Sequence, residues 1–383
     1  MQQPLAGRRI VFLVTEDWYF WSHRLPLARA ARDLGARVIV AARIADHEGR
    51  LRAEGFETAH IPFDRAGLSP RRDFATVREI TRLYRRVRPD LVHHVAVKPV
   101  LFGSLAARLA GAPRIVNAMA GLGFLFTNEK PRTRVLRGVF LAGLRALGRG
   151  QTTWTIVQND DDRAILLRAG LPEARMATIR GSGVDAQAFR PASSEPPGPP
   201  VAVCVARMLW DKGVGELVEA ARILRDRGVS LRIRLVGGGD LNPASVPPET
   251  LANWADEGVV EIAGHSADVA GEYARAHIAV LPSYREGLPK SLLEAAACGL
   301  PLVATDVPGC REICRDGDSG LLVPLRDPLA LADALARLAA DADLRRRLGA
   351  NARRAVEEEF AQEIVVERTL AIYSRLLDDG TPA

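Results

Sequence analysis

The chain has 383 residues, of which 48% are hydrophobic and 26% charged, so we expect a globular protein of two or three domains rather than a disordered or fibrous one. It shows no apolar run long enough to span a membrane and no signal-peptide core near its start, which predicts a cytoplasmic protein.

Residues 1–190 carry 31 Lys and Arg against 17 Asp and Glu, whereas residues 191–383 carry 21 against 29. The basic half predicts an anionic partner, either phospholipid or an acidic substrate. No nucleic-acid-binding motif accompanies its arginines.

The first elements alternate between strand and helix. Residues 8–14 predict a strand, a helix rich in alanine follows, and residues 38–41 predict a second strand, as in a doubly wound parallel sheet. The first loop lacks the glycine fingerprint of a dinucleotide site, which disfavours a nicotinamide enzyme. His23 and Arg24 stand at a helix start, where they contact either a phosphate or an acceptor sugar; alternatively, the nearby aromatic residues form a lid and His23 only caps the helix.

The next strands also end in polar or flexible residues. The strand predicted at residues 91–94 ends with His94, and Lys98 follows it, at the edge where parallel sheets bind ligands. Gly121 and Gly123 come one strand later, in a loop whose backbone can approach a substrate closely. These four residues are therefore candidates for substrate contact.

Residues 131–149 form a helix in which five arginines alternate with apolar residues. Such a basic amphipathic helix either lies on an anionic membrane or packs against the sheet, and both alternatives stay open.

The acidic stretch 158–162 resembles the D-x-D loops that bind Mg²⁺ or Mn²⁺ in other proteins. Because it follows a predicted strand and opens a helix, its aspartates are better explained as capping and first-turn residues. The four cysteines have no zinc-site spacing. We therefore predict no metal site.

A proline-rich stretch, residues 193–200, precedes a second series of strands and helices. Arg207 and Lys212 flank the loop after the strand 201–205, so both cations can converge on a phosphate pair. Gly238 belongs to a glycine-rich turn after the next strand. His265 follows a further strand, either as a ligand contact or only as a turn residue.

The segment 283–295 combines a loop after a buried strand with the start of a helix. A helix start offers free amides and the positive end of the helix dipole, which suits a phosphate. Glu286 stands in the loop beside this anion site. Glu294 lies one turn into the helix, where it could reach a hydroxyl further along a bound nucleotide.

This segment, with residues 299–312 and 317–324, resembles the signature of family 4 glycosyltransferases, which are retaining enzymes of the GT-B architecture. The resemblance implies an α/β fold with two Rossmann-like domains whose parallel sheets face a central cleft. The expected organisation is an acceptor-binding domain at 1–190, a linker at 191–200, a domain for the nucleotide sugar at 201–360 and a C-terminal helix, 361–383, that returns to the first domain.

The resemblance also implies residue roles: Arg207 and Lys212 hold the donor diphosphate, Glu286 holds the sugar hydroxyls and Glu294 holds the ribose. Many members carry a histidine after the strand that matches residues 115–117, where this chain has Asn117. Either that role is unfilled or His94 supplies it. The full set predicted is catalytic Glu286, Lys212, Arg207 and His94; donor-binding Glu294, Gly287, Leu288, Pro289, Lys290, Ser291, His265 and Gly238; and acceptor-binding His23, Arg24, Lys98, Gly121 and Gly123.

The N-terminal segments resemble the branch of the family that builds bacterial surface polysaccharides on an undecaprenyl-phosphate carrier. The reaction implied is transfer of a hexose or N-acetylhexosamine from a UDP-sugar to an undecaprenyl-diphosphate-linked saccharide at the inner face of the membrane, without a metal or other cofactor. The alternatives are a UDP-sugar epimerase of the same architecture and a non-catalytic membrane-associated partner of a transferase.

Overall fold

The computed structural model describes residues 4–64, 69–120, 131–148, 150, 152–239 and 244–378. The chain divides into two compact units. The first comprises Met1–Ser182 with Glu363–Ala383, and the second comprises Gly183–Gln362. Each unit contains one parallel sheet. In the described part of the chain, no helix is both long enough and apolar enough to cross a membrane.

The first unit is built on a seven-stranded parallel sheet with the order β3-β2-β1-β4-β5-β6-β7. In β1, Phe12 and Val14 join the core on one face, while Val11 and Leu13 join the core on the other, so the sheet is buried on both sides. The strands are β1 Arg9–Glu16, β2 Arg37–Arg43, β3 Glu57–His60, β4 Leu91–Val95, β5 Ile115–Ala118, β6 Thr153–Val157 and β7 Met176–Thr178.

Helices cover both faces of this sheet because each connection between parallel strands must cross back over it. They are α1 Asp17–His23, α2 Leu25–Asp33, α3 Glu48–Ala53, α4 Pro70–Val87, α5 Val97–Ala110, α6 Pro131–Leu147 and α7 Asp160–Arg168.

The second unit has a six-stranded parallel sheet with the order β10-β9-β8-β11-β12-β13. Its strands are short apolar runs, as expected for strands that helices cover on both faces. They are β8 Val201–Val205, β9 Arg232–Val236, β10 Glu261–Gly264, β11 Ile278–Leu281, β12 Leu302–Thr305 and β13 Gly320–Val323.

The helices of this unit are α8 Val214–Asp226, α9 Pro248–Asp256, α10 Val269–Ala274, α11 Lys290–Ala297, α12 Cys310–Ile313, α13 Pro328–Ala340 and α14 Ala342–Ala355. A π-helical segment, Val356–Phe360, follows α14. The four cysteines are free and buried. The predicted α/β class with two Rossmann-like domains is confirmed.

The last helix, α15 Gln362–Asp378, packs on the first unit. Ile372 and Leu376 are buried in the same core cluster as Phe12 of β1. Arg114 Nε donates a hydrogen bond of 2.5 Å to the Leu376 carbonyl, and His93 Nδ1 is hydrogen-bonded to the Tyr373 hydroxyl. The C-terminal segment thus completes the core on one face of the first sheet.

The boundary between the units differs from the expected one. The proline-rich stretch is not a free linker, because Glu195 accepts a 2.8 Å hydrogen bond from Arg345 and the Pro196 carbonyl lies 3.0 Å from His277 Nε2. These contacts hold it on the second unit, which already begins at Gly183. Val184 is hydrogen-bonded through its backbone to both Phe360 and Gln362, so the two crossing segments run side by side.

Candidate functional site

The central strands β8 and β11 of the second sheet are neighbours, although two strands separate them in the chain. From β8 the chain builds outward through β9 and β10, and from β11 it builds in the opposite direction through β12 and β13. Such a topological switch point is where open parallel sheets bind ligands. The loops 206–213 and 282–289 leave the sheet at its carboxyl edge at this point.

Two glycines allow the loops to touch. Gly213 has φ +71°, and a Cβ there would overlap the Pro282 carbonyl oxygen. Gly309 has φ +83°, and a Cβ there would lie 2.5 Å from the Gly287 carbonyl oxygen. Only glycine combines this backbone conformation with such close approach. Three segments, following β8, β11 and β12, are therefore in direct contact.

This packing joins two predicted catalytic residues. Lys212 Nζ forms an ion pair with the Glu286 carboxylate, and the two side chains are 19% and 12% exposed. Burial alone would lower the pKa of Lys212, but the Glu286 carboxylate outweighs it and raises that pKa above its ordinary value. The site therefore holds a fixed cation at neutral pH.

The backbone around the pair is also fixed. The Asp211 carbonyl accepts hydrogen bonds from the Tyr284 amide at 2.9 Å and from Ser283 Oγ at 3.2 Å. The Tyr284 hydroxyl donates to Glu216 at 2.5 Å, and Arg326 stacks over its ring. Hydrogen bonds therefore join the second loop both to the first loop and to α8.

Helix α11 begins directly after the second loop. Pro289 is its N-cap, no described side chain caps the helix, and its first turn contains no acidic residue. Because the helix begins where the loop after β11 ends, its uncapped first amides lie at the carboxyl edge of the sheet. Glu294 is largely buried one turn further on, 3.6 Å from Lys290, and burial raises its pKa. Leu288 is buried, and the Ser291 carbonyl accepts a hydrogen bond from the Tyr273 hydroxyl at 2.7 Å.

The remaining donor-side predictions lie at the same edge. Arg207 is exposed and is close enough to Lys212 to act on its pKa. The Gly238 carbonyl accepts a 3.0 Å hydrogen bond from the Met208 amide, and the position of a Gly238 Cβ would lie 3.9 Å from the Cβ of His265. The loops after β8, β9 and β10 therefore meet, with one exposed cation and one exposed imidazole.

In the first unit, the switch point lies between β1 and β4. Lys98 follows β4, donates to the Asp64 carbonyl at 2.6 Å and lies 3.7 Å from Asp73. His23 ends α1, stacks on Tyr19 at 4.3 Å and lies 2.6 Å from Ser22 Oγ. Arg24, the N-cap of α2, is buried. Gly121 and Gly123 lie outside the described residues.

The structure contradicts the catalytic role predicted for His94. Its ring is fully buried, with Nε2 3.0 Å from the Tyr84 hydroxyl and Nδ1 2.8 Å from Asn117 Oδ1. Burial lowers the pKa of His94 to about 4. Both ring nitrogens are occupied within the core, and Asn117, at the position of the expected histidine, is occupied in holding His94. Here His94 is a structural residue.

The acidic stretch serves a helix start, but the cap differs from the expectation. Asn159 caps α7, accepting a 2.8 Å hydrogen bond from the Asp162 amide, while the aspartates occupy the first turn. Within the described ranges, no three His, Cys, Asp or Glu residues cluster as potential metal ligands. The positioning roles of Gly213 and Gly309 are not among the features predicted from the sequence. For Gly213 the sequence did offer a signal, because a glycine stands there directly after Lys212 at a helix start.

The comparisons with known proteins cover both units. Residues 9–147 match the family described as Glycosyl transferase 4-like, and residues 199–341 match the family described as Glycosyl transferases group 1. The chain is 28% identical to the N,N'-diacetylbacillosaminyl-diphospho-undecaprenol alpha-1,3-N-acetylgalactosaminyltransferase of Campylobacter jejuni, over 96% of this chain and 99% of that protein. It is 25% identical to the UDP-Gal:alpha-D-GlcNAc-diphosphoundecaprenol alpha-1,3-galactosyltransferase of Escherichia coli, over 70% of this chain and 71% of that protein. In structure it is similar to the sucrose-phosphate synthase of Thermosynechococcus elongatus, with a TM-score of 0.81 and 21% identity over 97% of this chain and 100% of that one.

Proposed function

We propose a specific reaction for this chain, which belongs to the family 4 glycosyltransferases of the GT-B architecture: transfer of a sugar from a UDP-sugar to a saccharide linked to undecaprenyl diphosphate. The observation that carries the proposal is the Lys212–Glu286 ion pair at the switch point of the second sheet. It joins a protonated cation to a carboxylate beside a helix start, which suits a group that carries both a diphosphate and sugar hydroxyls.

The proposed mechanism uses the cations as electrostatic catalysts. When the bond between the anomeric carbon and the diphosphate breaks, negative charge grows on the departing phosphate oxygen. Lys212, Arg207 and the first amides of α11 would stabilise this charge more strongly in the transition state than in the ground state. Glu286 would then hold hydroxyls of the donor sugar, and Glu294 would accept hydrogen bonds from the ribose. The proposal includes retention of the anomeric configuration and requires no metal.

The identities of donor and acceptor rest on the relatives. The Escherichia coli protein is named for a UDP-Gal donor, and both curated relatives are named for acceptors linked to undecaprenol through a diphosphate. We propose the same classes for this chain, with a hexose or N-acetylhexosamine as the transferred sugar. The product would serve polysaccharide synthesis.

A peripheral membrane location follows from such an acceptor. On α6, Leu136 and Val139 are 39% and 66% exposed, and Arg134 and Arg145 are exposed too. Arg108 of the neighbouring α5 donates a 2.7 Å hydrogen bond to the Ala146 carbonyl, which ties the two helices together. A helix with exposed apolar and basic side chains can insert shallowly into an anionic surface. We propose that α6 binds the membrane.

The test is incubation of the purified protein with bacterial membrane extract and a panel of radiolabelled nucleotide sugars, scoring label in the lipid extract. The wild type should transfer one UDP-sugar, Glu286→Gln should not, and Glu249→Gln, at an exposed position of α9, should behave as the wild type. Transfer by Glu286→Gln at the wild-type rate would contradict the site. Conversion of the donor without an acceptor would indicate an epimerase instead.

A further inference from the structure

Arg24 is a buried cation for which the described residues supply no counter-charge. It is 5% exposed, and its Nε has no hydrogen-bond partner in the part of the chain that the structure describes. No described carboxylate forms an ion pair with it. By contrast, the buried Arg345 of the second unit pairs with Glu195. A buried charge without a counter-charge destabilises a fold, so an unpaired one suggests that its partner comes from outside the chain.

A second unsatisfied group lies on β4. His93 is 1% exposed, its Nδ1 is hydrogen-bonded to the Tyr373 hydroxyl, and its Nε2 is buried without a partner. Burial raises the pKa of the Tyr373 hydroxyl, which therefore keeps its proton, and the hydroxyl has no other hydrogen-bond partner in the described part of the chain. We infer that the hydroxyl donates to Nδ1, because in the opposite direction its own proton would have no acceptor among the described residues; Nδ1 is then the acceptor nitrogen of the ring.

This hydrogen bond decides the state of the imidazole. Burial lowers the pKa of His93 well below its ordinary value, and the charge of Arg24 lowers it further, so the ring is neutral. A neutral ring that accepts at Nδ1 carries its proton on Nε2. His93 therefore presents a buried N–H donor for which the described part of the chain offers no acceptor.

The two donors lie on the same face of the first sheet. The Arg24 amide donates to the Phe20 carbonyl at 2.8 Å, the Phe20 ring contacts Phe12 at 5.7 Å, and the Phe12 ring stacks on His93 at 5.3 Å. Arg24 also acts electrostatically on Tyr373 of α15. Arg24 acts electrostatically on His93 as well, so the two donors lie near each other, and no acceptor among the described residues is hydrogen-bonded to Arg24 Nε or His93 Nε2. The first turn of α2 contains no acidic residue either.

We propose that Arg24 and His93 bind an anionic phosphate oxygen, and that it belongs to the diphosphate of the lipid-linked acceptor. The evidence for the anion site is the pair of unsatisfied donors alone. The assignment of the phosphate to a lipid-linked acceptor rests on the proposed function. A guanidinium and a neutral imidazole N–H match a phosphate oxygen, because both donate and neither accepts. A soluble phosphate or diphosphate offers the same chemistry and is the alternative source.

The test measures the binding of inorganic pyrophosphate and of geranyl diphosphate by calorimetry, with saturating UDP present to occupy the second unit. Arg24→Met should weaken the binding of geranyl diphosphate about 10- to 100-fold, and Arg24→Lys should restore part of it. Arg29→Met is the matched control, since Arg29 lies on α2 but forms an exposed pair with Glu54. Equal affinity in the wild type and Arg24→Met, or no binding to the wild type, would overturn the site. Equal affinity for the two ligands would overturn the lipid-linked source.

Thermal unfolding gives an independent measure. Because the Arg24 side chain forms no ion pair or hydrogen bond with the described residues, Arg24→Met should unfold at the same temperature as the wild type or a higher one. A clear decrease in Tm would indicate a structural role and overturn the proposal. The transfer assay separates this inference from the proposed function. Binding that depends on Arg24 in a protein that transfers no sugar would refute only the reaction. Transfer with an unchanged acceptor KM in Arg24→Met would refute only the anion site.

Discussion

Lys212 and Glu286 are 74 positions apart in the chain but form an ion pair where β8 and β11 end. The two strands are adjacent because the sheet grows outward from them in opposite directions. Gly213 lets the loops meet, since a larger residue there would overlap the Pro282 carbonyl. The pair is therefore a product of the sheet order and of one glycine.

The first prediction separates the catalytic from the structural contribution of this pair. Lys212→Met should reduce kcat about 10²- to 10³-fold, because it removes a preorganised cation from the departing diphosphate. It should also lower the free energy of unfolding by about 1–3 kcal/mol, because Glu286 loses its partner. Activity assays and urea unfolding measure the two effects.

The double variant Lys212→Met with Glu286→Gln is the decisive control. It should regain most of the stability, since no unpaired charge remains, but none of the rate. Arg222→Met is a control that breaks an exposed pair with Glu257. It should leave kcat within a small factor of the wild type and should change the free energy of unfolding only slightly. Near-normal turnover in Lys212→Met would refute the role assigned to the cation.

The second prediction concerns the close approach at Gly213. Gly213→Ala forces a side chain into a left-handed conformation and into the Pro282 carbonyl. Gly228→Ala is the matched control, because Gly228 has a similar φ of +68° but open space around it. The control should lose about 1–2 kcal/mol of unfolding free energy, from the backbone alone. Gly213→Ala should lose more and should lower kcat as the ion pair shifts. Equal losses in the two variants would show that the approach of the loops is unimportant.

The third prediction uses the buried His94. Its pKa of about 4 in the folded protein lies below the ordinary value of 6.5, so the unfolded chain binds the proton more readily. Stability from this residue is complete above pH 6.5 and decreases as the pH falls towards 4, by about 1.4 kcal/mol per pH unit in that window. Urea unfolding between pH 7 and pH 4.5 measures the slope.

His94→Gln is the test variant, since it removes the titrating group and retains one polar contact. Its unfolding free energy should depend less steeply on pH than that of the wild type, with His93 contributing to the slope in both. At pH 7 its kcat should stay within a few-fold of the wild type. A loss of several hundred-fold in kcat without unfolding would instead restore His94 to the site.

The fourth prediction tests the membrane face. The triple variant Arg134→Glu, Arg137→Glu and Arg145→Glu should abolish sedimentation with vesicles that contain anionic lipid, because each near-surface cation contributes about 1 kcal/mol to binding. The matched control changes three arginines of the second unit, Arg346, Arg347 and Arg354, to glutamate and alters the net charge equally. Sedimentation of the triple variant at the wild-type level would refute docking through α6.

The sequence alone determined the order of strands and helices and the position of the donor-side motif. Apolar runs such as residues 278–281 identify buried strands, and the glycine, proline and first-turn residues of 282–290 identify the loop and the start of α11. These signals are local, because a strand and the turn after it are encoded within about ten residues. The sequence therefore predicts that Arg207, Lys212 and Glu286 each lie in a loop after a strand, at the carboxyl edge of a parallel sheet.

The tertiary structure alone decided burial and pairing. It placed His94 in the core between Tyr84 and Asn117 and set the unit boundary at Gly183. Among the described residues it supplied no acceptor for Arg24 Nε or His93 Nε2. A residue at the end of a strand can face solvent or the core, and one position along the strand decides which. Whether a charge has a partner depends on elements far away in the chain, such as α15 beside β4. No local pattern of residues predicts those contacts.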